Sequence, residues 1–255
     1  MIVRSLALKT ELGLAATRAT IVDRGDYVAI TTPDDPNYYY GNLLLMPAPP
    51  QVGEVAFWVR RFAAEFPQPA IKHVTLWWDG VTGDAGAEDE LVAAGFALDR
   101  SVVMTAVHVA APPPPLPIVA LSPEQVIDSF ELGWAIADRH DDAYRVFLSR
   151  RVEWHARLVE RGLAAFYGVY DRGELVASLG LVALDKVARY QDVQTAAAYR
   201  KRGLASALLA AAARDVPADR HVIMTTEDGD AQRVYARAGF HVAEHTVSAV
   251  RRPSG

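Results

Sequence analysis

The sequence predicts an α/β (α+β) chain in two parts, each combining helices with a mixed, mostly antiparallel sheet. Three observations point there. From Ile118 onward, runs rich in alternating Val, Leu and Tyr take turns with segments of helical period. A proline-dense run, Ala110-Ala-Pro-Pro-Pro-Pro-Leu-Pro117, interrupts the chain near its middle. An Ala-Gly-Phe helix end followed by a strand-like run occurs twice, at Gly95-Phe96 and at Gly239-Phe240.

Taken in order, Tyr38–Met46 reads as a strand, Val52–Phe66 as an amphipathic helix and Val74–Trp78 as a second strand. The segment from Glu90 then ends a helix at Gly95 and runs into a further strand. The proline run cannot continue a helix or an inner strand, so it is a semi-rigid spacer of extended geometry. Beyond it, Ser122 and Pro123 signal a helix start, and Pro123–Ala137 and Ala143–Gly162 carry apolar residues at helical spacing. Ala164–Tyr170, a turn at Asp171-Arg172-Gly173, Glu174–Leu184 and Val187–Thr195 read as three strands, and His221–Thr226 as another. Domains are therefore expected at residues 1–109 and 118–255, with 110–117 between them.

The stretch from Val193 to Leu209 carries the chemistry. A strand enters a turn of small residues and then a helix whose first turn holds Gly203 and Ala205. The N–H groups at a helix start lack partners within the helix, and the helix dipole adds partial positive charge, so an anion can be held there by backbone alone. Arg200, Lys201 and Arg202 add mobile positive charge, which suits a polyphosphate. Farther on, Ala231, Val234, Tyr235 and Ala238 fall on one helix face, Asp228 or Asp230 can cap the start, and Gly239 stands where a left-handed residue ends the helix.

Arg200-x-x-Gly203-x-Ala205 resembles the acetyl-coenzyme A signature of the GNAT N-acetyltransferases, R/Q-x-x-G-x-G/A. The second signature, N-x-x-A-x-x-x-Y-x-x-x-G-F, is matched by Ala231, Tyr235, Gly239 and Phe240, with Asp228 in place of Asn. The order of elements over Ile118–Val250 is also the GNAT order. The resemblance implies the acyl-CoA N-acyltransferase fold in two GNAT-like domains, the first one degenerate, because Pro47-Ala-Pro-Pro-Gln-Val-Gly53 stands where its phosphate turn would be. Proline lacks an N–H, so that loop cannot offer the same run of donors.

The resemblance further implies direct transfer of an acetyl group from acetyl-CoA to the primary amine of a small molecule or peptide, with no metal. Val193, Thr195, Arg200, Lys201, Arg202, Gly203, Leu204, Ala205, Ser206 and Tyr235 would contact the cosubstrate. A backbone N–H near Val193 would bind the oxyanion, and Tyr235 would protonate or hydrogen-bond the leaving thiolate. Many GNAT enzymes place a Glu where this chain has Gln191, so Asp192, Glu227 or a water chain is left as the base. Gln191 also leaves open a catalytically silent module that binds CoA or another ligand as a sensor or partner-binding domain.

Composition excludes other classes. With no cysteine there is neither a disulfide nor a thiolate site. No apolar run approaches a membrane span and the N-terminus lacks a cleavage pattern, so a cytoplasmic protein is expected. A net charge of −5, from 26 basic and 31 acidic residues without a basic stripe, argues against nucleic acid as a partner. A homodimer stays open. His140-Asp141-Asp142 reads as a capped loop in preference to a metal fragment, and Tyr38-Tyr39-Tyr40 and Trp77-Trp78 as strand aromatics of the core.

Overall fold

The computed structural model describes residues 1–253 and resolves the chain into two compact units, Met104–Val242 and a second made of Met1–Val103 with the segment from Ala243 onward. The proline run lies inside Met104–Val242, the first break falls within the strand Ala97–Ala106, and the last strand packs with the N-terminal unit.

In the N-terminal unit α1 (Leu6–Ala15) is followed by β1 (Thr20–Asp23), β2 (Val28–Thr31), β3 (Leu43–Met46), α2 (Val55–Glu65), β4 (Val74–Trp78), α3 (Glu88–Ala93) and β5 (Ala97–Ala106). Its strands lie in the order β1-β2-β3-β4-β11-β5, where β11 is His241–Arg251. β11 runs antiparallel to β4, with Ser248 opposite Trp77 and Val250 opposite Thr75. The core joins Leu44, Met46, Phe62, Leu76, Trp78, Leu91 and Phe96 to Val247 and Ala249 of β11. The start of α1 is held by two acids: Asp79 accepts from the Arg4 and Ser5 N–H groups at 2.8 Å each, and Glu244 accepts from the Leu6 N–H at 2.8 Å.

α1, β1 and β2 have no counterpart in the sequence reading. The strand expected over Tyr38–Met46 begins only at Leu43, because Tyr39–Gly41 forms a 3-10 turn. The Asn42 side chain fixes that turn by donating to the Asp35 and Tyr38 carbonyls.

The C-terminal unit continues with β6 (Val119–Ala120), α4 (Pro123–Ile127), α5 (Ser129–Ala135), α6 (Asp142–Glu160), β7 (Ala164–Asp171), β8 (Glu174–Leu184), β9 (Val187–Thr195), α7 (Leu204–Asp215), β10 (Arg220–Thr226) and α8 (Asp230–Arg237). Its strand order is β10-β9-β8-β7-β6. All neighbours are antiparallel except β9 and β10. The Ser122 start signal is a full capping box with Gln125. The one long helix read from Pro123 is instead α4 and α5: the Ser129 hydroxyl donates to the Val126 carbonyl at 2.6 Å, and the turn at Asp128 closes tightly on Gln125. Arg172 (φ 52°) and Gly173 (φ 86°) are both left-handed, the geometry a two-residue hairpin between β7 and β8 requires. Asp141 caps α6 by accepting from the Tyr144 N–H at 2.8 Å, as the capped-loop reading holds.

Both Gly-Phe helix ends close alike. Gly95 (φ 84°) and Gly239 (φ 102°) are left-handed, Phe96 donates to the Leu91 carbonyl and Phe240 to the Tyr235 carbonyl. Among the described residues, no helix is long and apolar enough to cross a membrane and no group of three His, Cys, Asp or Glu is placed to hold a metal ion.

Candidate active site

The sheet of the C-terminal unit opens beside β9. β9 and β10 are parallel and paired only from Val187 with Arg220 to Arg189 with Val222, although β9 runs on to Thr195 and β10 to Thr226. On its other edge β9 keeps its partner but slips. Gln191 opposes Gly180 and Gln194 opposes Ser178, so Asp192 and Val193 together face Leu179. This is a β-bulge, and it releases backbone from the ladder beside the opening. Asp192 is left-handed there, with φ 45°. Gly180, opposite the bulge, has the Phe166 ring where a Cβ would sit, 2.3 Å away, so no larger residue fits without moving that ring.

Below the opening the chain makes a fixed turn. After the 3-10 turn Ala197–Tyr199, Lys201 (φ 62°) and Gly203 (φ 79°) are left-handed. Tyr199 donates to Asp171 at 2.6 Å, Arg200 to the Thr195 carbonyl at 3.3 Å and Arg202 to the Ala198 carbonyl at 2.8 Å, with Arg202 lying over the Tyr199 ring. Gly203 heads α7 and no side chain caps that start. The first helical bond runs from the Ala207 N–H to the Gly203 carbonyl at 3.0 Å, which leaves the N–H groups of Leu204, Ala205 and Ser206 without a partner inside the helix. A Cβ on Gly203 would meet nothing within 4 Å, so the space before these donors is open. Backbone donors, helix dipole and exposed Lys201 and Arg202 make this turn a fit for a pyrophosphate.

α8 closes the other side. Its N-cap is Gly229, with no side-chain cap hydrogen bond, so neither Asp228 nor Asp230 caps it as the sequence suggests; Asp228 is itself left-handed, and Asp230 already belongs to the helix. Ala231, Val234 and Tyr235 of α8 line a cleft of about 220 Å³ together with Ile136, Val193, Thr195, Arg200 and Ala205. Tyr235 is only 6 % exposed, and burial pushes its hydroxyl up to about 12, so it stays protonated.

The candidate bases are placed differently. Gln191 is buried and donates through its side-chain amide to the Tyr190 carbonyl at 2.9 Å. Asp192 is bound to α6: Arg151 Nε lies 3.0 Å from Oδ1 and 2.8 Å from Oδ2, and His155 Nδ1 lies 3.4 Å from Oδ2. Burial alone would raise the Asp192 carboxyl, but the charges of Arg151 and His155 and the hydrogen bond from Arg151 outweigh it and hold the group at about 2. Glu227 stands one residue past β10, half-buried and outside the set lining the cleft. The sequence reading missed Ile136, Arg151 and His155. Only the Arg151-x-x-x-His155 spacing on an amphipathic helix hinted at the last two, since it sets two polar groups on one face.

Comparisons with known proteins agree with this geometry. The family model described as Acetyltransferase (GNAT) domain matches residues 162–242. No curated protein matches the chain in sequence. Among solved structures, a GCN5-related N-acetyltransferase from Kribbella flavida superposes with a TM-score of 0.68 at 15 % identity, covering 100 % of this chain and 98 % of that one. A functionally unknown conserved protein from Staphylococcus epidermidis gives 0.77 at 11 % identity, over 92 % and 95 %. A tandem GNAT protein from the clavulanic acid biosynthesis pathway gives 0.52 at 16 % identity, over 77 % and 70 %. The splayed strands, the open helix start and the tyrosine helix all fall inside residues 162–242, the segment that matches the GNAT acetyltransferase domain model, and the fold is that of the GNAT acyltransferase structures.

Proposed function

We propose that the protein is an acetyl-CoA-dependent N-acetyltransferase acting on a primary amine of a small molecule or peptide. The observation that carries the reading is the single cleft in which Val193 and Thr195 of the splayed strand, Arg200 and Ala205 of the open turn and Tyr235 of α8 meet. The pyrophosphate would lie on the Leu204, Ala205 and Ser206 N–H groups with Lys201 and Arg202 at its flanks, and the acyl end would run along β9 toward the bulge. In the reaction the acceptor nitrogen attacks the thioester carbonyl, the C–S bond breaks and the amine gives up its proton.

Each residue then has a task. The Val193 N–H donates to the carbonyl oxygen as it gains charge. Tyr235, at about 12, is a weaker acid than a thiol, whose ordinary value is about 8.5, so full proton transfer to the sulfur is uphill and a hydrogen bond to the thiolate is the role assigned here. Asp192, held as an anion by Arg151, does not take the proton. Water leading out of the cleft carries it to solvent, or Glu227 accepts it. The N-terminal domain, residues 1–109, is a degenerate copy that holds no cosubstrate, and the catalytic domain lies in the 118–255 segment, whose last strand packs with the N-terminal unit.

The test is an amine library incubated with protein and acetyl-CoA and read by mass spectrometry. Transfer of 42 Da, about the mass of an acetyl group replacing hydrogen, to an amine in proportion to enzyme supports the reading. CoA binding without any transfer favours the second reading, a CoA-binding sensor, which the amide at Gln191 and the clamped Asp192 also suit.

A further inference from the structure

We propose that Arg151 is a positioning residue, which clamps Asp192 and thereby sets the bulge that turns the backbone at Val193 out of the ladder and toward the cleft. The clamp follows from the fold alone; its consequence for turnover rests on the acetyltransferase reading above.

Asp192 occupies a left-handed backbone conformation, which aspartate tolerates better than most residues in turns but which breaks the extended geometry of the strand that contains it. Such a conformation persists where surrounding groups over-determine it. Those groups come from α6. Arg151 Nε donates to both carboxylate oxygens, and Nη2 adds a third short contact to Oδ1 at 2.5 Å. One turn later His155, fully buried, reaches the same carboxylate, and one turn earlier Phe147 lies under the guanidinium, 5.8 Å from ring centroid to Cζ. The helix therefore presents Phe147, Arg151 and His155 at four-residue intervals along one face. The side chains of Arg151 and Asp192 are 22 % and 19 % exposed, so the pair is shielded from water far more than an ordinary surface ion pair. A planar fork reaching two oxygens fixes direction as well as distance, which a lysine does not.

The experiment compares full-length protein with Arg151→Met, which keeps length and packing over Phe147 while losing the fork, and with Arg151→Lys. Backbone NMR of Asp192 and Val193, amide exchange at Val193, calorimetry with CoA, and kcat with an amine from the library screen are measured. In Arg151→Met the Asp192 shifts should leave the left-handed range and Val193 exchange should change at least tenfold, with CoA affinity within twofold. kcat should fall tenfold or more at unchanged KM for acetyl-CoA, and Arg151→Lys should fall between. Wild-type Asp192 and Val193 signals in a folded Arg151→Met protein overturn the clamp. Altered signals with wild-type kcat uphold the clamp and overturn the oxyanion role given to Val193. If Arg151→Met does not fold, Asp192→Ala removes the other half of the pair and must produce the same change at Val193.

Discussion

Two of the turns that lead from a strand into a helix, β3 to α2 and β9 to α7, differ in what their backbone donors touch. Between β3 and α2, three prolines remove donors outright, and carboxylates of the same unit take two of the rest: Gln51 donates to Glu54 at 2.9 Å and Gly53 to Glu90 at 2.6 Å. The loop is also packed down. Ala87 donates to the Pro50 carbonyl, and that carbonyl lies 2.4 Å from where a Cβ on Gly86 would be. Between β9 and α7 no side chain caps the helix, the space before Gly203 is open and three basic residues stand around it. A strand-to-helix turn can hold an anion only while its N–H donors are neither removed by proline nor taken by the chain's own acids. The helix ends extend the contrast. Counted back from the shared Gly-Phe closure, Leu91 stands where Tyr235 stands, so the N-terminal unit has apolar packing at the position where the C-terminal unit has a phenol beside a cleft.

The largest effect should come from closing the open turn. Gly203→Glu places an anion in front of the α7 donors and should weaken CoA binding a hundredfold or more by calorimetry. Gly203→Ala fills only empty space; it carries the backbone cost of a left-handed non-glycine residue, about 1 to 2 kcal/mol, and should bind CoA nearly as wild type. Unchanged CoA affinity in a folded Gly203→Glu protein would place the cosubstrate elsewhere. In both wild type and Gly203→Ala, titration should give one CoA per chain, and two equivalent sites would erase the contrast between the turns.

Next comes the tyrosine whose counterpart in the N-terminal unit is Leu91. Tyr235→Phe removes the hydroxyl and keeps the ring against Phe240. A hydrogen bond to a charged group is worth about 1.5 to 3 kcal/mol, so kcat should fall roughly tenfold to a hundredfold with CoA affinity almost unchanged. Wild-type kcat, measured where chemistry limits the rate, would make Tyr235 a packing residue like Leu91.

The bulge gives a pH prediction. The folded Asp192 carboxyl is held at about 2, below its ordinary 3.8, so its ion pair stabilises the protein above about pH 4 and that contribution is lost as pH falls toward 2. It amounts to about 2 kcal/mol. Urea denaturation of wild type and Asp192→Asn should therefore differ most near neutral pH and converge in acid. A gap that does not narrow between pH 6 and pH 2.5 would contradict the assignment.

What the sequence revealed of this site follows from which features are local. The Gly203 turn, the Ser122 cap, the Arg172-Gly173 hairpin and the two Gly-Phe closures are fixed by residues a few positions apart, and each was legible. β8, β9 and β4 have the bounds expected from the sequence, because each is rich in Val, Leu or aromatic residues and is flanked by turn or polar residues. The 3-10 turn at Tyr39 was not, since it depends on Asn42 reaching back to Asp35 and Tyr38. Nor was the clamp, which joins Arg151 to Asp192 across forty-one positions. The placement of β11 beside β4 rests on pairings between Val74–Trp77 and Ser248–Arg251, which no local pattern announces.

The smallest expected effect probes the closed turn directly. Glu90→Gln keeps size and leaves an amide oxygen to accept from Gly53, but it takes away the charge that sits on that N–H. Hydrogen bonds to charged groups exceed neutral ones by about 1 kcal/mol, and this one is exposed, so the loss in stability should be about 1 kcal/mol or less by denaturant titration. CoA stoichiometry should stay at one, because Pro47, Pro49 and Pro50 still offer no N–H and Glu54 still occupies Gln51. A second CoA bound by Glu90→Gln would show that one carboxylate alone had kept the first turn shut, and the prolines would then be incidental to the loss of the site.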